Sequence, residues 1–229
     1  HFEYMISESF EIILSLESNY LDIVMLSLFV SLSAVTFASL FSVLFATYLT
    51  IHNFKLKNFL MIIVDSLLAL PPVLVGLILY ILFSTNGLFG DLNLLYTVSI
   101  MIIAQAILIT PILITLCKES FDNSYDYLQE YLISINATKI QKITTIIQEC
   151  KFNVMLNILV GFGRALSEVG AIIIVGGNIS YLTRTMTTGI VVETSKGDLA
   201  VALSLGITLL LISLIINLII YYFKLYLKN

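Results

Sequence analysis

Charge is scarce in this chain of 229 residues: Lys, Arg, Asp and Glu together make up 11%, where a soluble domain carries about 25%. Tryptophan is absent, and histidine and cysteine occur twice each. His1 and His52 stand apart from other ligand-type residues, so a histidine metal centre and a Ser/His/Asp hydrolase both lack their parts; the two are read as terminus and loop. Cys117 and Cys150 belong to no CxxC or His/Cys cluster and are read as unpaired thiols. Eleven cations spread along the chain build no basic face, which excludes a nucleic-acid binder. The net charge of −4 decides little. What is plentiful is apolar: 59% hydrophobic residues, where about 45–50% is usual, and a mean hydropathy of +1.03. A soluble core of this length could not hide so much apolar surface, so the chain is read as a membrane protein.

A membrane-crossing helix needs about 20 mostly apolar residues to cover ~30 Å of hydrocarbon. Five stretches qualify: 23–51, 59–83, 94–116, 154–175 and 200–223. The first would reach ~43 Å as a helix, so it is expected to tilt or to project beyond the bilayer. An amphipathic segment, 4–16, sets Ile6, Phe10, Ile13 and Leu14 on one face but carries Glu8 and Glu11, and is read as an interfacial helix. The chain opens on His1 and not on Met, which leaves room for a start upstream, and nothing before Asp22 has the basic region of a signal peptide.

Orientation follows from the cations. With the N-terminus outside, eight of the eleven fall on the inner side: Lys55, Lys57, Lys118, Lys139, Lys142, Lys151, Lys224 and Lys228. Arg184 and Lys196 fall outside, and Arg164 lies within a span. The carboxyl end is then cytoplasmic. Tyrosines near the span ends, among them Tyr20, Tyr48, Tyr80, Tyr96, Tyr181, Tyr221, Tyr222 and Tyr226, form the aromatic belt that tryptophan does not supply. Without repeats or low-complexity tracts, residues 1–229 are taken as a single all-α transmembrane domain. Segment 84–93, with Gly87 and Gly90, reads as a turn.

Two connections are long: an inner loop, 118–153, and an outer segment, 176–199. Within the loop, apolar residues at 125, 127, 128, 131, 132 and 135 have the spacing of a helix with one buried face, opposite Gln129, Glu130 and Ser134. Asn136 tolerates the left-handed conformation that closes a helix, and Thr138 followed by Gln141 fits a capping box that opens another. A folded helix-turn-helix continuous with two spans is what a soluble partner needs if it is to push on a membrane protein; an inert linker is the alternative.

The stretch Glu130-Tyr-Leu-Ile-Ser-Ile-Asn136-Ala137, followed by Ile146-Ile147-Gln148-Glu149, resembles the EAA loop of ABC importer permeases. Glu130 stands at its glutamate, Asn136 at its glycine and Ile146 at its isoleucine. Tyr131 and Leu132 replace the alanines, and Gln148 and Glu149 the terminal leucine and proline. Leu70-Pro-Pro-Val-Leu-Val-Gly76, Gly163-Arg-Ala-Leu-Ser-Glu-Val-Gly-Ala171, Gly176-Gly-Asn-Ile179, Thr183-Arg-Thr-Met-Thr-Thr188 and Glu193-Thr-Ser-Lys-Gly-Asp198 are similar to permeases of the molybdate and tungstate branch, the last three most of all to the tungstate type. The resemblance covers most of the chain from Leu21 onward.

The resemblance implies a type I ABC importer permease fold, with about five transmembrane helices, an N-terminal interfacial helix and a cytoplasmic coupling helix. It also implies partners: a second copy of the permease, two cytoplasmic ABC ATPase subunits and an extracytoplasmic solute-binding protein that delivers the oxyanion. Tungstate is the expected cargo, with molybdate or sulfate as alternatives. The coupling residues it points to are Tyr127, Gln129, Glu130, Ser134, Asn136 and Ala137. This sequence has no GxxxxGK[ST] motif, so the motor is expected in another chain, and no cofactor is expected in this one. A motor is needed: drawing a dianion into an interior at −100 mV costs ~4.6 kcal/mol before any gradient.

Arg164 and Glu168, four apart in the fourth span, face one way. Either Arg164 attracts the oxyanion near its path while Glu168 holds it or forms a gate, or the two are a structural ion pair. Asp65 lies inside the second span and would repel a dianion, so it is assigned no substrate role. Pro71 and Pro72 are expected to kink that span as a candidate hinge. Small residues recur at three or four in the first span (Ser27, Ser31, Ala34, Ala38, Ser42) and in the fourth (Gly161 with Ala165, Ser167 with Ala171), which suits close helix approach or a hydroxyl-lined pore. Thr183, Arg184, Thr185 and Lys196 are candidates for docking the binding protein, and 186–193 for a short helix. A stand-alone secondary anion transporter or an assembly scaffold are the readings from other classes; the first would be expected to show membrane-embedded coupling carboxylates and often inverted repeats, and the second would not need Arg164 in the bilayer.

Overall fold

The computed structural model describes residues 2–15 and 17–228, with the side chains of Phe2 and of 226–228 outside the description. His1, the last residue of the expected 4–16 segment, and the belt and cation roles of Tyr226 and Lys228 therefore lie outside it. All regular structure among the described residues is helical.

Helix α1 (Phe2–Ser15) leads into α2 (Ser18–Ile51), which contains neither Gly nor Pro and so runs without a break for 34 residues, or ~51 Å. The small-residue stripe of α2 is its packing face: Ser27, Ser31, Ala34, Ala38 and Ser42 are all buried. Ser42 donates to the carbonyl of Thr110 at 3.2 Å. Ala34, Val35 and Ala38 form one core cluster with Ile109, Leu113 and Ala165. The close-approach alternative thus describes this stripe, whose hydroxyls face protein.

The second span does more than kink. It divides into α3 (Lys57–Leu68) and α4 (Pro72–Phe83), set at 99° to one another. Pro71 is extended (ψ 124°) and Pro72 opens α4, where its missing N–H breaks no helical bond. Each half has 12 residues, ~18 Å, so neither crosses alone. After the 84–93 turn, α5 (Val98–Ser134) continues for 37 residues straight through Pro111. The expected span 94–116 and the first half of the expected loop are therefore one rod of ~55 Å. No Gly or Pro lies between Ile112 and Ser134 to stop it.

Helices α6 (Lys139–Glu149) and α7 (Lys151–Leu166) meet at 67° across Cys150. The fourth span is broken as well: α7 stops at Leu166 and α8 (Gly170–Gly176) resumes after three residues. α9 (Met186–Lys196) and α10 (Leu199–Lys228) complete the chain. Among the described residues three helices, α2, α5 and α10, are individually long and apolar enough to cross a membrane, and counting each of two bent pairs as one span brings the number to five.

α2 and α5 form the axis, with α7 against both. The half-helices α4 and α8 pack on each other at their breaks. A Cβ on Gly76 would lie 2.9 Å from the Cα of Ala171, and one on Gly170 would lie 2.9 Å from Val73. Helix α1 does not present the expected face: Ser9 donates to the carbonyl of Ala200 at 3.0 Å and Ile12 and Ile13 join the cluster around Tyr20, Met186 and Leu205, while Phe10 and Leu14 stay exposed.

Candidate coupling elbow and membrane pathway

The elbow is built from local signals. Asn136 adopts φ 47° and ends α5, where the N–H of Ala137 donates to the carbonyl of Leu132 at 3.0 Å. Thr138 and Gln141 then form the capping box in both directions, at 2.8 and 3.3 Å. Ile146 anchors α6 in a cluster with Ala46, Cys117, Phe121 and Cys150, so the elbow rests on the C-terminal end of α2 and on the root of the α5 extension. Lys118 pairs with Asp122, which also accepts from Thr50 at 2.8 Å. Both thiols are free and buried. Burial pushes the Cys150 thiol up, although its hydrogen bond to Ser124 at 3.0 Å opposes the shift.

The tip of this elbow does not have the buried face that periodicity predicts. Leu132 is buried and Tyr125 and Leu128 are half-buried, but Tyr127 is 87% exposed, and Tyr131 and Ile135 also face outward. The cause is the path of α6, which folds back on Phe121 and Cys117 and leaves the end of α5 uncovered. Ile133 and Ile140 add to the bare surface, beside exposed Gln129, Glu130, Ser134 and Asn136 and half-buried Ala137. An apolar, aromatic patch rimmed by polar groups is the composition of a protein-docking surface.

Within the membrane, Arg164 and Glu168 do pair, at 3.4 Å, but their situations differ: the Arg164 side chain is 47% exposed and that of Glu168 is 6% exposed. Glu168 lies beyond the end of α7. One of its oxygens accepts the N–H groups of Val169 and Gly170 at 3.1 and 3.0 Å, and its carbonyl accepts from Thr187 at 2.8 Å. The carboxylate thus satisfies backbone donors that the break leaves free. Gln105 donates to the carbonyl of Ala165 at 2.9 Å, which also accepts the N–H of Glu168 at 3.0 Å, and its own Oε1 has no partner among the described residues.

A second polar face lies alongside. Asn217 of α10 is exposed within the span. With Ser213, Val160 and Gly163 it borders a cavity of about 190 Å³ between α7 and α10, and a Cβ on Gly163 would meet nothing within 4 Å. Arg164 is exposed on the same helix as Gly163, Ser167 is exposed just past its end, and Asp65 and Ser66 are exposed on α3. Polar side chains at membrane depth face protein or water rather than lipid.

The outer segment is less open than its hydroxyl content suggests. Thr183 and Thr185 are buried: Thr183 bridges the N–H of Ile179 and the carbonyl of Gly176, and Thr185 caps α9. The backbone N–H of Met186 donates to Ser27 at 2.8 Å, tying the segment to α2. Arg184 is mostly buried and pairs with Glu193 at 3.0 Å, which also holds Lys196 at 2.9 Å. Of the four docking candidates only Lys196, 55% exposed, offers a free surface. Sequence reasoning missed Gln105 and Asn217, although a lone amide inside each apolar run was a visible signal.

Long apolar rods, two broken spans and a folded elbow with a bare apolar tip define a multi-pass membrane permease. Residues 38–227 match the family of binding-protein-dependent transport system inner membrane components, and the chain belongs to that family. It is accordingly an inner-membrane transport protein with the type I ABC permease fold. It is 39% identical to the tungstate uptake system permease protein TupB of Peptoclostridium acidaminophilum over 211 residues, 92% of each chain. It is 40% identical to the protein of the same description from Campylobacter jejuni over 165 residues, 72% of this chain and 69% of that one. A probable anion ABC transporter permease protein of Haloferax volcanii is 30% identical over 86% of this chain and 87% of its own length.

Proposed function

We propose that this chain is the permease subunit of an ATP-driven importer for tungstate, working as a homodimer with two cytoplasmic ATPase subunits and an external binding protein. Support for tungstate comes from the two TupB proteins, aligned over 92% and 72% of the chain. The observation that carries the mechanism is the uncovered tip of the elbow. Tyr127, Tyr131, Ile133, Ile135 and Ile140 form an exposed apolar surface at the end of a helix that is continuous, without a break, with a span. An ATPase seated there, against Gln129, Glu130, Ser134, Asn136 and Ala137 as well, moves α5 as a lever. The elbow is then cytoplasmic, with the N-terminus outside and the C-terminus inside, as the cation distribution requires.

Two copies set with their α7 and α10 faces together would enclose the polar residues that neither covers alone. Each contributes one half-exposed Arg164 to the dianion's path, while buried Glu168 holds the break in place. The break at Pro71 and Pro72 serves as the hinge on which α3 moves against the α4–α8 pair. Lys196 contributes to the surface that receives the binding protein; Thr183, Arg184 and Thr185 support it from beneath.

The test is uptake in reconstituted vesicles, with and without the ATPase, offering labelled tungstate against molybdate and sulfate. Tungstate is expected to enter only with ATPase and ATP, and to resist competition. Tyr127→Ala with Tyr131→Ala is expected to lower ATPase co-purification by about tenfold or more, since each aromatic anchor is worth ~2 kcal/mol. Accumulation by the permease alone would overturn the reading.

A further inference from the structure

Where α2 begins, a groove of about 600 Å³ opens between its first turns and the turn 180–184 that leads to α9. The volume lies within the ~300–1,000 Å³ typical of small-molecule sites. Its lining is graded along the helix. Asn19 and Asp22 line its first turn and Ser180, Tyr181, Leu182 and Arg184 its facing side, and Met25, Leu26 and Phe29 follow over the next two turns. Polar groups at the membrane surface and apolar walls toward its interior are the polarity of a lipid.

The apolar wall continues as an exposed strip along α2. Met25, Phe29, Leu32, Leu40 and Leu44 are each 59% exposed or more, and Thr36 among them donates to the carbonyl of Leu32 at 2.7 Å. This strip leaves no polar group in need of a partner, unlike the face carrying Arg164 and Asn217, so hydrocarbon suffices to cover it. The groove therefore opens onto the bilayer.

Its polar end carries both signs of charge. Asp22 is exposed and forms no salt bridge among the described residues. Arg184 and Lys196 share the single carboxylate of Glu193, so that cluster keeps one positive charge, and the Nε of Arg184 has no hydrogen-bond partner among the described residues. A dianion in the groove would be repelled by Asp22 and would gain nothing from Met25 or Phe29. An ammonium with three N–H donors matches the acceptors of Asp22, Asn19 and Ser180, whereas a quaternary amine has no N–H to give.

We propose that this groove binds one zwitterionic phospholipid with a primary-amine headgroup, its phosphate toward Arg184, its ammonium at Asp22 and one acyl chain along Met25, Leu26 and Phe29. A bound phosphatidylethanolamine then joins the start of α2 to the turn before α9.

Native mass spectrometry of the purified, delipidated full chain, offered equal phosphatidylethanolamine, phosphatidylcholine and phosphatidylglycerol, tests this directly. The wild type is expected to retain one phosphatidylethanolamine per chain, preferred about tenfold over the other two, as one charge-assisted hydrogen bond supplies. Asp22→Asn should remove the preference over phosphatidylcholine and keep binding, while Phe29→Ser should weaken retention of all three. Both side chains are exposed, and unchanged circular dichroism checks the fold. Equal retention of the three lipids by the wild type, preference for phosphatidylglycerol, or a preference untouched by Asp22→Asn would overturn the proposal. So would an intermolecular disulfide in Met25→Cys, which would show a second copy filling the groove. None of these outcomes depends on which anion is transported.

Discussion

The Glu168 carboxylate stands 3.4 Å from the Arg164 guanidinium while its other oxygen accepts the backbone N–H of Gly170 at 3.0 Å. The pair therefore joins two jobs at the break between α7 and α8. Glu168 is buried and holds backbone donors; Arg164 is half-exposed and holds one partner.

The two residues should respond differently to loss of charge. Glu168→Gln keeps an oxygen to accept from Gly170 but leaves Arg164 uncompensated and weakens bonds worth ~1.5–3 kcal/mol each when charged. Its thermal midpoint in detergent is expected to fall clearly. Arg164→Gln leaves the buried carboxylate with its two backbone donors alone, so it should lower the midpoint by less, and reduce uptake in reconstituted vesicles by tenfold or more. Equal loss of stability in both variants would mark the pair as purely structural.

The contact between α4 and α8 makes a prediction of sign. Gly76→Ala places a methyl 2.9 Å from the Cα of Ala171 and 3.0 Å from its carbonyl oxygen, where backbone must move. Overpacking of that kind costs ~1–3 kcal/mol. Gly163→Ala, with nothing within 4 Å, should instead gain up to ~1 kcal/mol of helix propensity. Unfolding midpoints of the two purified variants are expected to move in opposite directions.

How much of this was legible in the sequence depends on whether the cause is local. Asn136 at φ 47° and the Thr138–Gln141 capping box follow from residues within a few positions, and both appear as read. The break at 167–169 has no proline to announce it; it is held by Glu168 and by Thr187, 19 positions away. Thr183 and Thr185 look like a wet loop by composition, yet their segment is buried because Met186 reaches Ser27 at a separation of 159 residues. Tyr127, Tyr131 and Ile135 have the spacing of a buried face, but no described part of this chain covers them. Periodicity reports that a face is apolar and not what lies against it.

Cys150 gives the elbow a pH dependence. Burial raises its pKa above the unfolded thiol's ~8.5, so the folded state binds the proton more tightly. That contribution is fully present below the unfolded value and is lost as pH rises through the folded one. Melts of the purified permease are expected to show a midpoint that declines above about pH 8.5. Cys150→Ser should lessen this decline, and a water-soluble maleimide at neutral pH should label wild-type Cys150 only after unfolding.

Asn217 distinguishes an aqueous path from a lipid face. Its Nδ2 donates to the carbonyl of Ser213, four residues earlier, at 2.9 Å, and the side chain is otherwise exposed in the middle of an apolar helix. An amide in hydrocarbon costs a few kcal/mol, so against lipid Asn217→Leu would stabilise the protein and spare transport. Against a water-filled path closed by a second copy, Asn217→Leu lowers uptake while the dimer and its ATPase remain assembled. In that case Asn217→Cys reacts with a membrane-impermeant thiol reagent, over a low background because Cys117 and Cys150 are buried. Reaction is the expected result. The cavity of about 190 Å³ beside Asn217 has room for roughly six waters at ~30 Å³ each, and Gly163 on its far wall leaves the space open. An unreactive Asn217→Cys together with a more stable, fully active Asn217→Leu would place this face in lipid and move the path elsewhere.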